Sequence, residues 1–347
     1  MRFSKQRRNR YGVGLAIVVG LAIVAAVAST LSRGNRPAWL AGATRVAPVS
    51  RDFSEASYEW LDNHTIVAGD VGDPPAKITT YDLTTHKSTI ERLAPPLPAS
   101  HPPDPGSDVY GPISPDGAHI LWVGSNTIRL VSRRDGSMRT MMQYASADVG
   151  GAAGLPHVFI VGNCAWLPGG RLWVTAESAA WSGQFVVIRD LNGKIVRRGA
   201  LNGPTDFTCI AGIMRNGDLL VYRGDGERYE VSLTPRIAVV RSWPATSGDT
   251  ALLLSPDGSR LLWWESDSHM SAFHQIAGRL FHHRTYDEVA TISVSDPDGS
   301  HKRTLANVTW ETHDPYYAPN PVDDFRWLPD SRHFSFVYEN AIWVRPV

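Results

Sequence analysis

Histidine and acidic side chains, both ligand types for zinc and other transition metals, gather in one stretch of the sequence. The members of this group are His269, His274, His282, His283, Asp267, Asp287 and Glu288. His274 and His282 are eight residues apart with no fixed-geometry motif between them. The adjacent pair His282 and His283 would point to opposite faces of a strand. A metal site and an exposed loop with scattered histidines are both open interpretations, and we expect the loop, with no metal and no cofactor.

The same stretch carries apolar side chains, and we predict that it forms a long loop. Long loops often hold ligand or partner contacts. We therefore predict partner-binding residues here, namely Phe273, His274, Phe281 and His282. A second aromatic and acidic segment supplies the candidates His313, Tyr316 and Tyr317. Prolines in that segment fit an ordinary rigid connection equally well, so both interpretations stay open there. Trp181, in a turn-like segment, is the last candidate, and we expect it to be exposed.

Familiar catalytic motifs are absent from the sequence. It contains no Gly-x-Ser-x-Gly nucleophile elbow and no His-Glu-x-x-His metal helix. Two Ser-Pro-Asp-Gly segments, at residues 114–117 and 255–258, do contain Ser and Asp. These side chains are better explained as turn residues that hydrogen-bond their own backbone. We assign no catalytic residue.

A short pattern recurs along the chain: an apolar pair, a turn rich in Pro, Asp, Gly or Asn, and an apolar strand. Copies occur at residues 60–67, 113–123, 166–174, 213–222, 254–264 and 327–337. Each copy predicts a tight hairpin, because Pro and Asp fix the turn and Gly or Asn tolerates a positive φ. Further hairpins follow, with turns at residues 84–85, 135–136, 192–193 and 298–299. Two hairpins per repeat make a four-stranded antiparallel unit, which is the strand count of a β-propeller blade.

The repeats predict an all-β fold, a six-bladed β-propeller over residues 44–347, preceded by one N-terminal transmembrane helix. The last repeat lacks its outer strand, and residues near 44–53 can supply that strand and close the ring. The 73 residues from Pro256 to Pro329 could hide a seventh blade. We expect an insertion there instead, because only one further hairpin is visible.

The two Ser-Pro-Asp-Gly copies, each followed by an apolar strand, resemble the TolB-like family of WD-like propeller repeats. Weaker copies at Pro168 and Pro329 keep the position of the motif but lose part of it. The resemblance covers about residues 44–347. It implies a propeller and, because the family includes periplasmic protein-binding modules, a binding or scaffolding role.

The N-terminal segment predicts a membrane anchor. Residues 11–32 are uncharged, and a helix of these 22 residues would span roughly 33 Å, enough to cross a bilayer core. The basic segment 1–10 would stay in the cytoplasm, residues 33–43 would form a linker, and the propeller would lie outside. The alternative is a signal peptide cleaved after Ala28, because Ala26 and Ala28 form a small-x-small pattern.

The charged residues are distributed unevenly between the N-terminal segment and the rest of the chain. The whole chain has 34 basic and 34 acidic residues, but residues 1–36 contain seven basic residues and no acidic one. Residues 37–347 therefore hold 27 basic and 34 acidic residues. An acidic exported part argues against a nucleic-acid partner, which would need an excess of positive charge.

Cysteine and tryptophan are expected to be structural. Export permits a disulfide between Cys164 and Cys209, but aligning their repeats puts both side chains on the same strand face, pointing the same way round the ring. We expect two buried thiols, with a disulfide as the alternative. The tryptophans that recur in the repeats should pack between blades; they are Trp60, Trp122, Trp166, Trp173, Trp263 and Trp327.

These features predict a membrane-anchored extracytoplasmic propeller that binds a protein or an envelope polymer, and we expect binding rather than catalysis. The alternative is a small-molecule hydrolase or lyase with its site at the mouth of the propeller channel. Three carboxylate or His groups converging within about 4–5 Å at the channel mouth would favour the enzyme.

Overall fold

A computed structural model describes residues 37–48, 58–69, 77–92, 109–123, 127–143, 158–179, 183–201, 208–246, 249–269, 286–312 and 322–347. Within these residues no helix is long and apolar enough to cross a bilayer. The predicted anchor and its basic flank, residues 1–32, lie outside the described residues. Of the predicted linker, residues 37–43 are described, and they include a short 3-10 turn, Ala38–Leu40.

Twenty-four strands form six four-stranded antiparallel sheets, each a propeller blade. Blade 1 comprises β2 (Tyr58–Trp60), β3 (Thr65–Gly69), β4 (Lys77–Asp82) and β5 (Lys87–Arg92). Blade 2 comprises β6 (Val109–Ile113), β7 (His119–Val123), β8 (Thr127–Ser132) and β9 (Met138–Gln143). Blade 3 comprises β10 (Val158–Trp166), β11 (Leu172–Ala179), β12 (Gly183–Asp190) and β13 (Ile195–Leu201). Blade 4 comprises β14 (Thr208–Ile213), β15 (Leu219–Arg223), β16 (Arg228–Ser232) and β17 (Ala238–Trp243). Blade 5 comprises β18 (Asp249–Leu254), β19 (Leu261–His269), β20 (Tyr286–Ser295) and β21 (Arg303–Thr312). Blade 6 comprises β22 (Val322–Trp327), β23 (His333–Tyr338), β24 (Ala341–Pro346) and β1 (Thr44–Pro48).

The predicted blade architecture is confirmed. Strands within blades 1–5 are paired in chain order, so each blade is two successive hairpins. The long step between Pro256 and Pro329 contains the rest of blade 5 and no additional described sheet.

The ring is closed by a strand from the opposite end of the domain, as the sequence predicts for residues near 44–53. β1 pairs antiparallel with β24, with Thr44 opposite Val344 and Pro48 opposite Ala341. The order in blade 6 is therefore β1-β24-β23-β22, with β1 outermost. Pairing at this edge joins the first and last segments of the ring.

The core consists of apolar layers between adjacent blades. The layer between blades 3 and 4, for example, contains Val174, Val186, Ile210, Leu219 and Val231, all buried. A separate layer joins blades 6 and 1. All six recurring tryptophans are buried, as predicted.

These tryptophans occupy two positions of the repeat, however, and not the single equivalent position that the sequence pattern indicates. Trp122, Trp173 and Trp263 lie on second strands. The other three end first strands, where each indole N–H donates to the preceding blade: Trp60 to Ser335 Oγ at 2.7 Å, Trp166 to the Pro112 carbonyl at 2.7 Å and Trp327 to the Leu253 carbonyl at 2.9 Å. The two classes differ in the strand that carries the tryptophan, and the repeat pattern does not distinguish a first strand from a second one.

Candidate functional site

The first strands of all six blades surround a central channel, and the channel contains a cavity of about 620 Å³. The cavity extends to the turns between first and second strands, which include Ser114–Gly117 and Ser255–Pro256. Its wall is mostly apolar, with Leu61, Ile113, Ala165, Ile213 and Leu254 among the contributors. A cavity of this size is within the range that small-molecule sites occupy.

The turns at the cavity mouth hold their shape through Ser and Asp, as predicted. Ser114 Oγ donates to Asp116 Oδ1 at 2.5 Å, and Asp116 also accepts the Ala118 amide at 3.1 Å. In blade 5 the corresponding hydroxyl, Ser255 Oγ, donates to Asp257 Oδ1 at 2.7 Å. The Ser114 hydrogen bond lowers the pKa of Asp116, so this mouth carboxylate is ionised near neutral pH.

Neighbouring turns also touch one another around the mouth. Gly258 lies so close to blade 4 that an added Cβ would be 2.4 Å from the Arg215 amide nitrogen. In blade 6 Ser331 takes the corresponding turn position, and its hydroxyl accepts the Asp257 amide at 3.1 Å. The Asp330 amide in turn donates to Asn63 of blade 1 at 3.1 Å. Contacts between turns therefore fix the rim of the cavity.

A charged cluster lies in the channel at the seam between blades 6 and 1. Arg326 Nε is 3.0 Å from Glu59 Oε1, and Arg326 Nη2 is 3.7 Å from Asp324 Oδ1. Glu59 and Arg326 line the cavity. Asp324 has a φ of 53° where the register of β22 shifts, and this bulge places a carboxylate beside Arg326.

Hydrogen bonds from both blades hold the cluster in place. Arg326 donates from Nε to the Tyr58 carbonyl at 3.2 Å and from Nη1 to the Phe325 carbonyl at 2.8 Å. The Tyr58 hydroxyl is 2.7 Å from the buried Ser335 hydroxyl and 3.2 Å from the Asp324 carbonyl. Because each group is bonded across the seam, the guanidinium has little freedom to turn toward another partner.

Burial dominates the electrostatics of this cluster. It raises the pKa of Glu59 from 4.5 to about 6, although Arg326 acts in the opposite direction. Burial likewise raises the pKa of Asp324, again against Arg326. Burial by itself lowers the pKa of Arg326, but the two carboxylates outweigh it and leave that pKa raised. Two acidic groups thus share one permanently charged guanidinium.

The two cysteines are free, as we expect from their strand positions. Cys164 packs in the layer between blades 2 and 3, whereas Cys209 packs against the layer between blades 4 and 5. Cys164 also lines the cavity. Burial raises the pKa of its thiol to about 12, and the nearby Glu59 carboxylate adds to the rise. Both thiols are protonated at neutral pH and therefore weak nucleophiles.

The predicted binding residues belong to three connections between described strands. All eight lie outside the described residues: Trp181, Phe273, His274, Phe281, His282, His313, Tyr316 and Tyr317. The strand ends that flank them are described. Ala179 and Gly183 flank the first connection, His269 and Tyr286 the second, and Thr312 and Val322 the third. Because strands alternate in direction, these connections start and end on the face away from the first turns.

Blade 5 is elongated on this second face. Its β19–β20 ladder has nine pairs, from Leu261 opposite Ser295 to His269 opposite Asp287. The corresponding ladder has eight pairs in blade 3 and five in blade 2. At about 3.3 Å per residue, the four additional pairs carry blade 5 roughly 13 Å further than blade 2. We call residues 265–269, 286–291 and 307–312 the blade 5 extension.

Aromatic packing supports the base of the extension. Trp264 lies between Trp310 of the extension and Phe325 of blade 6, with ring centroids 6.3 and 5.0 Å away. Of the predicted group of His and acidic residues, Asp267, His269, Asp287 and Glu288 lie in the described residues, and the other three histidines do not. No three His, Cys, Asp or Glu residues come together as possible metal ligands in the part of the chain that the structure describes.

Glu59, Asp324 and Arg326 are the residues that sequence reasoning misses. A signal for two of them is present in the first strands. Glu59 precedes Trp60-Leu61, Ala165 precedes Trp166-Leu167 and Arg326 precedes Trp327-Leu328. Opposite charges at one repeat position in blades that meet at ring closure would have indicated a salt bridge.

Comparison with known proteins finds structural similarity only, at low sequence identity. No protein-family model matches the sequence, and no curated protein matches it either. Among solved structures, a protein of Agrobacterium tumefaciens assigned as TolB is 16% identical, with a TM-score of 0.47 over 84% of this chain and 90% of that one. Virginiamycin B lyase of Staphylococcus aureus is 12% identical, with a TM-score of 0.49 over 88% of this chain and 99% of that one. The β-propeller domain of Myceliophteria thermophila Cps50 (Swd1) is 10% identical, with a TM-score of 0.47 over 84% and 96%. The fold itself is a six-bladed β-propeller, the architecture that the resemblance of the repeats implies.

Proposed function

We propose that this protein is a membrane-tethered, extracytoplasmic β-propeller that binds another protein or an envelope polymer. The blade 5 extension carries this proposal. Within the described residues blade 5 has the longest ladder between second and third strands, nine pairs against eight in blade 3 and four to six in the other blades. The two connections that leave the extension hold seven of the eight predicted binding residues. Propeller loops that project beyond the ring are a common place for partner contacts.

Side chains on the described part of the extension give it one exposed surface. Asn307 and Thr309 of β21 are exposed, while Val308 between them is buried. The packing of Trp264 against Phe325 gives the extension a rigid base. A rigid projection with an exposed polar edge can bind a partner with little ordering cost. The acidic excess of residues 37–347 favours a partner that is basic.

Site-directed photocrosslinking on the full-length protein in its own membrane tests this proposal. A photoreactive residue at Thr309 reports contacts of the extension. The matched control position is Arg134, an exposed turn residue of blade 2 on the opposite face. We expect Thr309 to crosslink reproducibly to one envelope component and Arg134 not to do so. Equal labelling from both positions, or none from Thr309, would contradict binding through this face.

A second candidate function, a small-molecule hydrolase or lyase in the channel, is favoured by one observation. Glu59 lies in the cavity wall with its pKa raised to about 6. A carboxyl group with a pKa near neutral can serve as a general acid or base. Turnover of a hydrolase or lyase substrate by the full-length protein, abolished by Glu59→Gln, would support it over binding alone.

A further inference from the structure

The cavity in the channel has two chemically different ends. Toward the turns its wall contains the apolar side chains of Leu61, Ile113, Ile213 and Leu254 together with the polar turn residues. At the inner end the wall contains Glu59 and Arg326. A ligand that fills such a space needs an apolar body and one charged group at its inner end.

The sign of that charge follows from the bonds of the cluster. Arg326 uses Nε for the Tyr58 carbonyl and Glu59 Oε1, and Nη1 for the Phe325 carbonyl. An anionic ligand would add a third negative charge beside Glu59 and Asp324. In the described part of the chain, by contrast, Oε2 of Glu59 has no bonded partner. Its side chain keeps 22% of its surface accessible from the channel.

The surrounding charges also favour a cation. Glu59 and Asp324 share one guanidinium, so the cluster carries an excess negative charge when both carboxylates are ionised. Asp116 adds an ionised carboxylate at the mouth. The other groups that face Glu59 are the Tyr58 hydroxyl and the Cys164 thiol, both uncharged at neutral pH because their pKa values are raised. A low-dielectric channel of this kind concentrates cations.

We propose that the channel cavity binds a small organic cation, with its primary ammonium group on Glu59 Oε2 and its apolar body against Leu61, Ile113 and Leu254. A cavity of about 620 Å³ accommodates a molecule of this kind. The ammonium group supplies the second positive charge that balances the carboxylates of Glu59 and Asp324, because Arg326 supplies only one. This site lies on the face opposite the blade 5 extension, so it is separate from the partner surface proposed above.

Three isosteric compounds test the charge preference: 4-phenylbutylamine, 4-phenylbutanol and 4-phenylbutanoate. Each is titrated calorimetrically into the full-length protein in non-ionic detergent, with detergent-only titrations subtracted. We expect the amine to bind at least tenfold more tightly than the alcohol or the carboxylate. Equal affinity for the amine and the alcohol would overturn the proposal.

Variants test the contact itself. Glu59→Gln keeps the shape of the side chain and removes its charge, so we expect at least a tenfold loss in affinity for the amine. Glu91→Gln is the matched control, because Glu91 is also a carboxylate paired with a guanidinium, that of Arg133, but lies outside the cavity and outside the blade 5 extension. We expect that control to bind the amine like the parent protein. Loss in both variants, or in neither, would contradict an ammonium site at Glu59.

If Glu59→Gln does not fold, the release of protons on amine binding can be measured on the unaltered protein instead. An ammonium group beside Glu59 lowers the pKa of that carboxyl, so amine binding near pH 6 should release protons. The release appears as a dependence of the binding heat on the ionisation enthalpy of the buffer, and it should vanish at pH 8. Binding without proton release at pH 6 would rule out Glu59 as the contact.

Discussion

Glu59 and Arg326 show how one position of a repeat can acquire a special role. In both blades this residue precedes a Trp-Leu pair on the first strand, and its side chain lines the channel. In blade 3 the same position is Ala165. Only blades 1 and 6 meet where the ring closes, so a pair of opposite charges at this seam joins residues that are 267 apart in sequence.

The raised pKa of Glu59 predicts a pH dependence of stability. The carboxyl has a pKa of about 6 in the folded protein against 4.5 ordinarily, so the folded state binds the proton more tightly. The stabilisation is complete below pH 4.5 and is lost as the pH rises through 6. A shift of this size corresponds to about 2 kcal/mol. We expect urea unfolding to show a fall of that order in the free energy of unfolding between pH 4.5 and pH 7.

Glu59→Gln is the control for this dependence, because it removes the titrating group and leaves Asp324 in place. The variant should lose most of the decrease between pH 4.5 and pH 7. A variant with the same slope as the parent protein would mean that another group titrates in this interval.

Two turn glycines allow the stability cost of a left-handed backbone conformation to be compared with the cost of a steric clash. Gly258 and Gly217 both have positive φ, 68° and 87°. A Cβ at Gly258 would lie 2.4 Å from the Arg215 nitrogen, whereas a Cβ at Gly217 would meet nothing within 4 Å. We expect Gly217→Ala to cost about 1 kcal/mol, the usual cost of a left-handed conformation. Gly258→Ala should cost about 3 kcal/mol or more, because the blade 4 turn must also move.

Urea unfolding of both variants, followed by tryptophan fluorescence, measures the difference. Similar losses for the two glycines would show that contacts between neighbouring turns contribute little to the stability of the ring.

At the scale of elements, β1 decides whether the ring is closed. Ala47 of β1 is buried in the layer between blades 6 and 1, while Arg45 on the same strand is exposed. Ala47→Asp places an unpaired charge in that layer and should lower the free energy of unfolding by about 3 kcal/mol or more. Arg45→Ser, on the solvent side, should change it by less than about 0.5 kcal/mol.

Chemical denaturation of the full-length protein in detergent checks this contrast. If Ala47→Asp and Arg45→Ser unfold at the same urea concentration, β1 is not needed for a stable ring.

Local sequence predicts the strands and hairpins well, but it predicts less well which face of a sheet each residue occupies. The turns with Asp-Gly or Asn-Gly form hairpins because Gly136, Gly193 and Gly299 all adopt positive φ. The tryptophans are buried as predicted, but they divide between first and second strands. β-bulges, such as the shift between Asp323 and Arg326, change which face a residue occupies. Repeat spacing alone does not reveal such shifts.

At the scale of the whole molecule, the proposed membrane location depends on the N-terminal segment. We propose that residues 11–32 remain as an uncleaved anchor, and the prediction is that the protein stays in the membrane fraction after an alkaline carbonate wash. Mass spectrometry of the intact protein should then give the full 38.1 kDa chain. A soluble product that begins at Ser29 would show instead that the segment is a cleaved signal peptide.

The sequence by itself determines the number of blades, the hairpins within them and the strand that closes the ring. These depend on turn residues and on alternating apolar residues, which act over a few positions of the chain. The tertiary structure decides the charged cluster and the cavity, because Glu59 comes beside Asp324 and Arg326 only when the last blade meets the first. It also decides how far blade 5 extends, since ladder length depends on pairing between strands that the sequence separates by a long segment. Ring closure and strand pairing bring distant residues together, and this is why the candidate sites emerge only from the folded molecule.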